Sequence, residues 1–114
     1  MTGSDPQSIL SAVHQQLRKA RAALGQGVAP EAVSQGQHHL QQVDELLAQG
    51  VGEAVTDLEM LQAMLSMRNE LGGYLLAGST LEEVGATPRV VVDVLQRGAD
   101  ALDGLLDQLT GNRL

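Results

Sequence analysis

Apolar residues recur along this chain at steps of three and four, the period that lays one side of an α-helix against a core. The first run is Ile9, Leu10, Val13, Leu17, Ala20 and Leu24. It follows Asp5-Pro6, a capping residue with proline at the first helical position, where the missing N–H costs nothing. Gly25-Gln26-Gly27 supplies a stop, so a first helix is predicted over about 6–24. A second starts at Pro30 and keeps the period through Val33, Leu40, Val43, Leu46 and Leu47 until Gly50, with Gly36 expected to weaken its middle.

The third run, over about 53–76, carries two apolar stripes rather than one. Ala54, Leu58, Leu61 and Leu65 form the first; Met60, Met64, Met67 and Leu71 form the second, about 100° or more around the axis. Gly72-Gly73 is expected to weaken or kink this helix, since each helical glycine costs about 1 kcal/mol relative to alanine. Ser79 and Glu82 have capping-box spacing, and with Leu81 and Val84 they predict one or two short turns ending at Gly85. Thr87-Pro88 then opens a last helix through Val90, Val91, Val94, Leu95, Leu102, Leu105, Leu106 and Leu109. The expected fold is all-α: one domain over 1–114, an antiparallel bundle of four main helices plus one short one.

Composition narrows what fills that bundle. Tyr74 is the sole aromatic residue and there are no cysteines, so the core is aliphatic with methionine, and thiolate chemistry is ruled out. The net charge of −7 sits mainly in the second half, where residues 51–114 hold ten acids against four bases. One lysine and six arginines are few for a phosphate backbone, and Arg18, Lys19 and Arg21, the one basic cluster, read as a solvated helix face. No run approaches the ~18 apolar residues of a membrane span, and the chain starts on polar residues. A soluble, cytoplasmic protein that binds neither nucleic acid nor membrane is expected.

Candidate chemistry is sparse. His14, His38 and His39 have no second metal ligand three or four residues away, so no metal site is expected. Ser66 and Ser79 lack the glycine-flanked turn of a nucleophilic serine, and no glycine-rich loop leads into Lys-Ser/Thr. The acid pairs Glu82-Glu83 and Asp103/Asp107 read as solvated. No catalytic residue, cofactor or small-molecule substrate is therefore expected; the adjacent His38-His39 is a candidate proton-sensitive spot.

The positive signal is the methionine stripe. Methionine is unbranched and adapts to irregular partners, so Met60, Met64, Met67 and Leu71 are the candidate partner-binding residues, either for a helix of another protein or as a homodimer seam. The same two-striped pattern would also suit a central helix with methionines in the core. The expected function is a non-enzymatic adaptor or chaperone-like protein. Two alternatives stand beside it: a regulator using the helix-turn-helix-like segment 79–109 on DNA, with its acids at Asp93, Asp100, Asp103 and Asp107 working against it, and an enzyme whose site assembles only in an oligomer.

Overall fold

Pro30 and Pro88 each open a helix, and Pro6 is the first described residue of another. The computed structural model describes residues 6–54 and 57–111. Within them the chain forms α1 (Pro6–Leu24), α2 (Pro30–Gln49), α3 (Leu58–Glu83) and α4 (Pro88–Gly111), and no strand occurs among the described residues. The Asp5 cap expected for α1 lies outside the described residues.

The helices run alternately up and down. Gln16 of α1 meets His39 of α2, Arg68 of α3 meets Asp44 of α2 while Gln37 meets Glu82, and Tyr74 of α3 packs at Gly98 of α4. α1 and α3 each pack against both α2 and α4 and lie diagonally across from each other. Each helix turns one apolar stripe inward: Leu10, Val13, Leu17 and Leu24 from α1, Leu40, Val43 and Leu47 from α2, Met64, Met67 and Leu71 from α3, and Val91, Leu95, Leu102 and Leu106 from α4. Among the described residues no polar side chain is buried, so the core owes its stability to apolar burial alone.

Three glycines inside helices act as sockets. A Cβ on Gly36 would lie 2.5 Å from Leu24 Cδ2, one on Gly98 2.8 Å from Tyr74 Cβ, and one on Gly50 2.8 Å from Met64 Sδ. The glycine expected to weaken α2 therefore lets α1 approach closely, a packing gain set against the ~1 kcal/mol cost of a helical glycine.

Two expectations about the third helix are corrected. It starts at Leu58, where Asp57 Oδ1 accepts the Glu59 N–H at 2.9 Å as the N-cap. Residues Gly50–Ala54 instead continue α2 as a π-helical turn. At its other end α3 does not stop near 76. It runs through Gly72 and Gly73, and the short helix expected after Ser79 is its final turns. Contact with α4 at Gly78, Leu95 and Gly98 holds that half in place and outweighs the two glycines. Gly85, in the left-handed region at φ 79°, ends it: the Ala86 N–H donates to the Leu81 carbonyl at 2.9 Å and the Gly85 N–H to Glu82 at 3.1 Å, a Schellman closure. At 26 residues α3 spans about 39 Å, close to the 44 Å length of the molecule.

Candidate interaction surface

α3 can give only one of its two stripes to the bundle, and it gives the methionines. Met60, Met64, Met67 and Leu71 are 3, 0, 1 and 0 % exposed, closed inside the chain's own core. They are not an open docking face, which corrects their assignment as partner-binding residues. The reason lies in the full length of the helix. Beyond Leu71 the methionine row continues through Tyr74, Leu75, Gly78 and Leu81, apolar or small at every turn. Beyond Leu65 the other row keeps Leu76 as its one further apolar side chain and meets Arg68, Asn69, Gly72, Ser79, Thr80 and Glu83. Only the first can face a core for 26 residues, and a helix assumed to end at 76 hides that signal.

The leucine row is consequently outside. Leu58, Leu65 and Leu76 are 65, 44 and 69 % exposed. At 100° per residue these three and Asn69 lie within about 40° of one another, opposite the core-facing row. Leu61 is half-buried at the edge, and Ala54, expected in the same row, falls in the π-helical turn. Along the middle of this face Gln62, Leu65, Ser66, Asn69, Gly72, Gly73 and Leu76 carry no charge, and the exposed Arg68 and Glu70 flank it on its two sides. A Cβ on Gly72 or Gly73 would meet nothing within 4 Å, so the two glycines leave a step in the surface. That step is part of a shallow depression edged by Leu65, Asn69 and Leu76, with the exposed pair Arg68–Asp44, 3.1 Å apart, on one rim.

The other candidate groups are dispersed or paired. His39 Nδ1 lies 2.8 Å from Gln16 Oε1, and its ring sits edge-on to His38 at 5.6 Å. Burial, then the neighbouring charges of His38 and Lys19, hold His39 below its ordinary pKa. His14 sits apart, beside Asp103 and Asp107 in a depression between α1 and α4. Among the described residues no group of three histidine or carboxylate side chains is placed to hold a metal ion, and no described helix is long and apolar enough to cross a membrane. Of the basic cluster, Arg21 is engaged by Asp100 at 3.2 Å and Asp103 at 3.1 Å.

The segment 79–109 departs from a helix-turn-helix. Its first part belongs to a 26-residue helix, and α3 and α4 form a long antiparallel hairpin rather than a short pair at a wide angle. Val91, Leu95, Leu102 and Leu106 commit one side of α4 to the core, while Arg97 is engaged by Asp93 at 3.2 Å. The chain matches no known protein family, no curated protein and no solved structure.

Proposed function

We propose that this protein is a non-enzymatic interaction module that docks the apolar side of a partner helix on the outward face of α3. One observation carries the reading: Leu58, Leu65 and Leu76 stand exposed along a single line of one helix, with Asn69 and Gly72 on that line between them. Single exposed leucines are ordinary on a protein surface, but a row at helical spacing is the pattern by which an amphipathic helix is gripped. The bundle supports that use mechanically. With its opposite side sealed by Met60, Met64, Met67 and Leu71, α3 presents its leucines on a rigid rod, so little order has to be gained on binding.

The double variant Leu65→Glu/Leu76→Glu tests this. Both side chains point to solvent, so the variant keeps its helical circular dichroism and cooperative melting. Tagged wild-type protein expressed in its own host retains a protein that the double variant does not. Identical sets of bound proteins on the two baits, with both folded, would refute the reading.

A further inference from the structure

We infer that the occupant of this face is a second copy of the chain, its α3 lying antiparallel on the first about a two-fold axis at Asn69. The inference rests on the docking face just described and names its partner.

The shape of the face is self-complementary in one register. Leu58, Leu61, Gln62 and Leu65 are spaced as the four corners of a hole in a helix surface, and so are Asn69, Gly72, Gly73 and Leu76. The second coincides with the observed depression, deepened by its two glycines. Of the three exposed leucines of the face, Leu65 and Leu76 are spaced to serve as knobs toward these holes. Placing Leu76 of the partner copy in the first hole fixes the offset between antiparallel helices, and the same offset sets Leu65 of the partner copy over Gly72 and Gly73. One rotation satisfies both contacts, and by symmetry each is made twice. It also brings the two Asn69 side chains face to face, where an amide donates and accepts equally well. A parallel arrangement would instead set leucine on leucine and leave the glycines opposite an empty gap.

Charge points the same way. A chain of net charge −7 repels its own copy over most of its surface, and the least repulsion is met where no carboxylate points outward. The outward line from Leu61 to Leu76 itself carries no carboxylate; Glu70 stands exposed to one side of it, and on the other the rim pair Arg68–Asp44 is neutral overall and would face its two-fold mate. The contact strip, about 28 Å of helix from Leu58 to Leu76, is narrower than the roughly 800 Å² per partner of a standard stable interface. Association over so small a strip is thus concentration-dependent rather than permanent.

The chain has no cysteine, so single-cysteine variants report the geometry directly. Asn69→Cys and Leu58→Cys are each oxidised mildly, alongside sedimentation equilibrium of the unmodified protein up to about 100 µM. The antiparallel pair predicts reversible dimerisation, a disulfide-linked dimer for Asn69→Cys and none for Leu58→Cys, whose two copies stand about 32 Å apart. Gly73→Leu, which fills the hole from an open surface, weakens association by about tenfold or more while the fold is kept. Linked dimers from both cysteines would mean a parallel pair and overturn the arrangement. A dimer with neither linked would place the interface elsewhere. A strictly monomeric protein would remove the second copy as occupant, whereas the docking reading itself fails only if the Glu variant captures what the wild type does.

Discussion

Gly72 and Gly73 lie in the middle of an unbroken helix, exposed, with open space where a Cβ would stand. Replacing both with alanine removes backbone freedom from the unfolded chain and costs the folded chain no contact. Each exposed mid-helix Gly→Ala change is worth about 0.8–1 kcal/mol, so the pair should add about 1.6–2 kcal/mol. An unfolding entropy of about 2.1 cal/mol/K per residue gives roughly 0.24 kcal/mol/K for 114 residues, and the gain becomes a rise in Tm of about 7–8 °C. Thermal denaturation followed at 222 nm, at a protein concentration low enough to keep the chain monomeric, measures it. The same variant, its hollow half filled, should self-associate less well at high concentration. Stability and association are thus predicted to move in opposite directions. A Tm that is unchanged or lower would show that the helix is broken or already strained at these glycines, and the continuous outward face of α3 would go with it.

Met64→Glu buries a carboxylate in a site that is fully enclosed and without a partner, and should abolish cooperative folding, while Leu65→Glu one residue away stays within about 0.5 kcal/mol of wild type by urea denaturation. Gly36→Ala drives a methyl into Leu24; overpacking of about 1–3 kcal/mol exceeds the helix-propensity gain of about 1 kcal/mol, and adding Leu24→Ala should make the glycine replacement harmless. His39 is held below its ordinary pKa, so the unfolded chain binds the proton more readily; stability contributed by the neutral ring is present above that ordinary value and is lost as the pH falls from about 6.5 through the folded pKa. Urea midpoints between pH 7.5 and 5 should show this decline, and His39→Gln should reduce it.

Most of the fold was legible because α1, α2 and α4 each carry one apolar stripe bounded by proline and glycine, so periodicity and punctuation agree. α3 resisted for two reasons. Its ends are set by features that propensity does not weigh: the Asp57 cap, the π-helical turn that Gly50 allows beside Met64, and the Schellman closure at Gly85. Its interior glycines read locally as a break, although α4 packs along the helix beyond them. That misjudged length reversed the site. Cut at 76, the methionine and leucine rows look equivalent; extended to Glu83, only the methionine row stays apolar. The presence of two apolar faces was readable from the residues, but which one the bundle takes depends on a neighbouring helix.

Hydroxyl-radical footprinting read residue by residue, at dilute and at high protein concentration, tests most directly the claim that α3 turns its methionines in and its leucines out to a partner. Leu58, Leu65 and Leu76 should be labelled when dilute and protected when concentrated, with Met60, Met64 and Met67 protected throughout. Rapid oxidation of those methionines in the folded dilute protein, with the three leucines shielded, would contradict it.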